Sequence, residues 1–140
     1  IMQNAIFSFL NALKLDSTDL KLKTKLGICY VEAGAEPMKG IGLLREVVSK
    51  DSMNIEAQLN LGFFSLTSAQ FDKAIARFKN VLAIDSTYIS AYVYLGDTYV
   101  RMDDKPKAIE NYELYKSLIT DSVIQSDVET YINQLKTNSK

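Results

Sequence analysis

Apolar positions recur three and four residues apart along almost the whole chain, the spacing of helices that bury one face. Over 88–102, Tyr92, Leu95, Gly96 and Tyr99 fall at i, i+3, i+4 and i+7. Over 105–118, Ala108, Ile109, Tyr112, Tyr115 and Leu118 make a similar stripe. A polar turn, Asp103-Asp104-Lys105-Pro106, separates the two. The same pattern elsewhere predicts helices near 2–15, 20–33, 37–50, 54–68, 71–84, 88–102, 105–119 and 123–136, and no segment alternates as a strand would. Pro37 and Pro106 lie at the first turn of a helix, where the missing N–H breaks no intrahelical hydrogen bond. The short oxygen-bearing side chains of recurring Asp-Ser pairs are expected to cap the helix that follows each of them.

The pattern is periodic on a longer scale. Asp-Ser stands at 16–17, 51–52 and 85–86, with a looser copy at 121–122. Leu-Gly recurs in phase at 26–27, 61–62 and 95–96, and a small residue followed by Ile recurs at 5–6, 40–41, 74–75 and 108–109. Three markers agree on a unit of about 34 residues holding two helices. The residues resemble the tetratricopeptide repeat (TPR) family, whose first helix carries an aromatic, Leu-Gly and Tyr, and whose second carries Ala and Phe before a closing Pro. The third unit matches through Tyr92, Leu95-Gly96, Tyr99, Ala108 and Tyr112. The second has Leu61-Gly62, Ala74 and Phe78, with Gln58 and Ser65 where aromatics are expected. The first keeps Leu26-Gly27 and Tyr30, has Gly40 and Leu44 in its second helix, and carries one inserted residue in its turn. The closing prolines are replaced by Ser17, Ser52, Ser86 and Thr120.

The resemblance implies an all-α, right-handed α-solenoid of helix–turn–helix units forming a single domain. Residues 1–17 would be the second helix of a partial repeat, followed by repeats at 20–52, 54–87 and 88–121 and a capping helix at 123–136. Such units cannot bury their apolar faces alone and must stack. The one-sided stripe of Ile124, Val128, Tyr131, Ile132 and Leu135 suits a cap, its other side being polar through Gln125, Ser126, Asp127, Glu129 and Gln134. First helices line the concave groove of TPR proteins, which binds peptide segments or partner helices. The stripe facing that groove holds Lys21, Thr24, Ile28 and Val31, then Glu56, Leu59, Asn60, Phe63 and Leu66, then Val93, Asp97, Val100 and Arg101. Leu59, Phe63 and Leu66 read equally well as groove and as packing between neighbouring first helices. The clamp that some TPR proteins close on a C-terminal carboxylate does not fit: Thr24, Ile28, Ser90 and Tyr94 stand at its places, and only Asn60 agrees.

Composition narrows the chemistry. The chain has 140 residues, 47% of them apolar, and its 16 basic and 17 acidic groups nearly cancel, so nothing marks it for nucleic acid or anionic lipid. With no histidine and a single cysteine, Cys29, it can build neither an imidazole-dependent triad nor a multi-thiolate metal site. Cys29 reads as a buried, inert thiol. Gly40-Ile41-Gly42 lacks the strand–turn–helix setting of a phosphate loop and reads as small packing positions. Asp97, Asp103 and Asp104 lack the spacing of a calcium loop. Lys21, Lys23 and Lys25 read as a solvated face, with a contact for an acidic partner as the alternative. No cofactor, no metal and no membrane span is expected, and no enzymatic site can be assembled.

The function expected is therefore a non-catalytic protein–protein interaction module binding a partner peptide or helix. The alternative is a structural self-assembly module, with the groove or the N-terminal end filled by another copy. Helix 2–15 has one stripe of Met2, Ala5, Ile6, Phe9 and Leu13 for the first full repeat and another of Phe7 and Leu10, with Ile1 beside them. The chain begins at Ile1, in mid-pattern, and is expected to be a piece of a longer protein whose compartment stays open. A homodimer through residues 1–15 would cover the second stripe.

Overall fold

A computed structural model describes residues 2–138. Ile1, named above beside Phe7, lies outside the described residues. Among the described residues eight helices run in order: α1 (Met2–Leu15), α2 (Leu20–Ala33), α3 (Pro37–Lys50), α4 (Ile55–Thr67), α5 (Phe71–Ile84), α6 (Ser90–Arg101), α7 (Lys105–Leu118) and α8 (Ser122–Thr137). Among the described residues there is no strand. The chain divides between Phe64 and Ser65, inside α4, into two compact units.

In the first unit α1 packs on α2 and α2 on α3. Ile41, Leu44 and Val47 of α3 meet Ala57 and Leu61 of α4 in a buried cluster flanked by Leu20, Ile28, Val31, Val48 and Phe64. Gly27 and Gly40 let α2 and α3 approach closely: a Cβ on Gly40 would fall on the Gly27 carbonyl oxygen, and one on Gly27 would come within 2.9 Å of Leu44 Cγ. Gly42, by contrast, faces open space. The Gly40-Ile41-Gly42 sequence is thus one packing glycine and one surface glycine on α3. In the second unit α5 packs on α6, α6 on α7 and α7 on α8. Ala74, Phe78 and Val81 of α5, Ala91, Leu95 and Tyr99 of α6, Ala108 and Tyr112 of α7 and Ile132 of α8 are buried.

The turns correct one expectation. Only Asp121 of the Asp-Ser pairs caps the next helix, accepting from the N–H groups of Val123 (2.9 Å) and Ile124 (3.2 Å). Asp16, Asp51 and Asp85 instead bond two residues onward, to the N–H groups of Thr18, Met53 and Thr87, and so close the turn itself. The caps of α2 and α4 come three residues later, from Asp19 to Leu22 N–H (3.1 Å) and Asn54 to Ala57 N–H (3.0 Å). At the corresponding place before α6 stands Tyr88, which has no such oxygen, and α6 starts at Ser90 without a side-chain cap.

A second regularity sits between the helices of each pair. Gly34, Ala69 and Asp103, spaced 35 and 34 apart, all adopt left-handed backbone, with φ of 70°, 58° and 59°. Their N–H groups bond Val31, Leu66 and Val100 carbonyls. In the latter two turns the next N–H, of Gln70 or Asp104, reaches back to Ser65 or Tyr99 and ties off the helix end.

Candidate functional site

The predicted groove residues of the first unit are largely occupied internally. Thr24 is buried; its Oγ1 donates to the Leu20 carbonyl (2.7 Å) and accepts from Asn54 Nδ2 (3.1 Å). Leu59 is buried, and Ile28 and Val31 pack against the Ile41–Leu44 cluster. Asn60 and Phe63 are half-buried, Asn60 donating to the Glu56 carbonyl (2.9 Å). Lys21 and Glu56 remain exposed. Of the lysines near them, Lys23 is drawn into an ion pair with Glu46 at 2.6 Å, while Lys25 is exposed. Lys23 and then Lys50 hold the Glu46 carboxyl below its usual range. Cys29 is half-buried rather than buried, its thiol pushed up first by burial and then by Glu32, which leaves it a poor nucleophile.

In the second unit Leu66, Val93 and Val100 are half-buried, and Asp97 and Arg101 are exposed. Arg101 Nη1 donates to the Leu66 carbonyl (2.8 Å) while its guanidinium lies 5.4 Å from the Phe71 ring centre. Asp97 turns the other way and accepts the Tyr112 hydroxyl at 2.5 Å. Asp104 caps α7 through Lys107 N–H (3.2 Å), and Asp103 serves the left-handed turn, so these acids have backbone duties. Among the described residues no cluster of three acidic or cysteine side chains could hold a metal ion, and no helix is long and apolar enough to cross a membrane.

Val93 and Asp97 open into a cleft of about 290 Å³ that α6, α7 and α8 build together. Its remaining walls are Tyr112 and Tyr115 from α7 and Asp127, Val128 and Tyr131 from α8. Tyr131 meets Tyr112 edge-on, ring centres 5.3 Å apart, a favourable quadrupole geometry. Burial, and then the Asp97 carboxylate, push the Tyr112 phenol far above its ordinary range, so it stays a donor at any physiological pH. Lys116 stands on the neighbouring turn of α7, held by Glu113 (2.9 Å) and Glu129. Ile132 anchors α8 from beneath, with no exposed surface.

Sequence reasoning reached Val93 and Asp97 but assigned Tyr112 and Tyr115 to packing, Val128 and Tyr131 to the cap, and Asp127 to its outer side. One signal could have found them. Helix α8 starts like a first helix: Asp121 caps it as Asn54 caps α4, and Gln125 Nε2 donates to the carbonyl six residues back (Ile119, 2.8 Å) as Gln58 does to Ser52 (2.9 Å). A helix of that kind continues the first-helix surface of the unit before it. The same bond explains why Gln58 replaces an aromatic: its buried amide satisfies a turn carbonyl.

Paired helices, left-handed turns at a fixed period and small residues at the close crossings define an all-α protein of helix–turn–helix repeats, the TPR fold of the α-solenoid class. The fold is shared with a crystal structure of MamA, 24% identical, with a TM-score of 0.78 over 96% of this chain and 86% of that one. It is shared also with YrrB, described as "a TPR protein with an unusual peptide-binding site", which is 21% identical, with a TM-score of 0.78 over 92% of this chain and 66% of that one. No sequence-family model and no curated protein sequence matches the chain.

Proposed function

We propose that the chain is a non-catalytic protein-interaction module that binds a segment of a partner polypeptide on its first-helix surface. The observation that carries this reading is the cleft of Val93, Asp97, Tyr112, Tyr115, Asp127, Val128 and Tyr131: an apolar floor with a polar rim, the composition of a pocket for one anchoring side chain. The peptide-binding site ascribed to YrrB supports the same kind of function on this fold. Of the sequence-predicted positions, Val93, Val100 and Arg101 of the second unit would flank such a segment. A photo-crosslinking amino acid placed at Tyr131 or Val93, in cells, tests the reading, with Thr130 as an outward-facing control. Polypeptides captured at the first two positions and not at the control are expected. Equal or absent capture at all three would end the proposal.

Exposed apolar side chains on α1 favour a second reading, assembly with another copy of the chain. Phe7 is 67% exposed, and Leu10 and Leu15 are also open to solvent. Sedimentation velocity should then show a dimer that Phe7→Glu with Leu10→Lys returns to monomer with its helicity intact; a monomer at high concentration defeats this reading.

A further inference from the structure

The cleft of the second unit has a charge as well as a shape. Asp97 and Asp127 are its only ionisable side chains apart from the tyrosines, and no lysine or arginine lines it. Both carboxylates are exposed at the rim. Asp97 accepts one hydrogen bond, from Tyr112, which fixes its orientation through Oδ1 and leaves acceptor capacity on the second oxygen. Asp127 takes part in no hydrogen bond or ion pair within the described structure, and Lys116, the basic group nearby on α7, is bound to Glu113 and Glu129. Between the carboxylates lie three phenol rings and two valines. Tyrosine faces attract cations, and apolar walls accommodate the methylene stem of a long basic side chain while its head stays at a polar edge.

We infer that this cleft receives a lysine or arginine side chain of a partner polypeptide, the rings holding its stem and Asp97 and Asp127 its charged head. The inference rests on the peptide-binding reading above and adds the chemistry of the anchor. An acidic anchor would meet two carboxylates with no counter-charge, and a plain aliphatic one would fill the apolar floor but gain nothing from Asp97 and Asp127.

The test uses the full chain and four fluorescein-labelled Ala/Ser-rich peptides that differ only at the centre: lysine, arginine, norleucine or glutamate. Fluorescence anisotropy should show saturable binding of the lysine and arginine peptides, weakened by added salt. The norleucine peptide should bind roughly tenfold more weakly or worse, and the glutamate peptide not at all. Asp127→Asn should weaken the basic peptides several-fold with no change in melting temperature, because Asp127 holds no partner in the fold; Asp97→Asn, which retains an acceptor for Tyr112, should add to the loss. Norleucine binding as tightly as lysine would overturn the basic anchor and leave the peptide-binding reading standing. Basic peptides bound equally by the protein and its Asp127→Asn and Asp97→Asn variants would overturn the site. Failure of all four peptides to bind would overturn the basic anchor too, while crosslinking at Tyr131 still decides the broader reading.

Discussion

The Tyr112 hydroxyl donates to Asp97 Oδ1 at 2.5 Å, joining a buried residue of α7 to an exposed one of α6. Gly96, next to Asp97, has no side chain because the Tyr112 ring fills the space: a Cβ there would lie 2.5 Å from Cε1. One ring therefore serves both the helix crossing and the wall of the cleft. Removing the hydroxyl alone separates the two roles. Tyr112→Phe keeps the ring and should cost about 1–2 kcal/mol, the range for a hydrogen bond to a charged group at a partly solvated site. Urea unfolding would measure it, and a loss below about 0.3 kcal/mol would show that the bond contributes little.

The same residue should make the protein sensitive to alkali. Its phenol is held protonated in the folded chain by burial and by Asp97, whereas the unfolded chain releases that proton near pH 10. Below pH 10 both states carry the proton and Tyr112 adds no pH dependence. Above it the unfolded state binds fewer protons, and stability should fall by up to about 1.4 kcal/mol per pH unit from this group. Denaturant titrations from pH 8 to 11.5 should give a gentler fall for Tyr112→Phe than for the unchanged protein. Parallel curves would place the alkaline loss elsewhere.

The glycines of α3 offer a matched pair. Gly40→Ala puts its methyl onto the Gly27 carbonyl oxygen, a backbone atom that cannot step aside without moving α2 from α3. A loss of about 2 kcal/mol or more is expected, in the range of overpacked cores. Gly42→Ala meets nothing and should stabilise by about 0.5–1 kcal/mol through helix propensity. Calorimetry that moved both melting temperatures in the same direction would contradict the assigned helix approach.

Ala69 is the strained member of the three equivalent turns. Gly34 meets the left-handed conformation at no steric cost and Asp103 tolerates it, but alanine at φ 58° does not have that freedom. Ala69→Gly should therefore raise stability by about 0.5–1 kcal/mol, less than the strain relieved because glycine also gains entropy in the unfolded chain. Asp103→Gly should gain less. Gly34→Ala should lose about 1 kcal/mol despite the open space around it, since the penalty lies in the backbone. Thermal melts of the three variants rank these effects directly.

Much of this was legible in one dimension. Helical periodicity placed the eight helices of the described residues within a few residues of where they stand, because an amphipathic stripe repeats along the chain whatever it packs against. The in-phase markers gave the repeat and the close crossings at Gly27, Gly40 and Gly96, since only a small residue fits where a helix nearly touches its neighbour. Tertiary structure alone decided which stripe positions face inward. Thr24 and Leu59 have the spacing of groove residues but are buried, and Thr24 is held there by Asn54 from thirty residues away. The duty of each Asp-Ser pair was also undecided, because a carboxylate reaches a turn N–H and a helix N–H with equal ease until the backbone path is set. The cleft was hidden for a related reason. Tyr112, Val128 and Tyr131 bear the same periodic signature as core residues, and that they wall an open pocket with Asp97 and Asp127 follows only from three helices meeting in space.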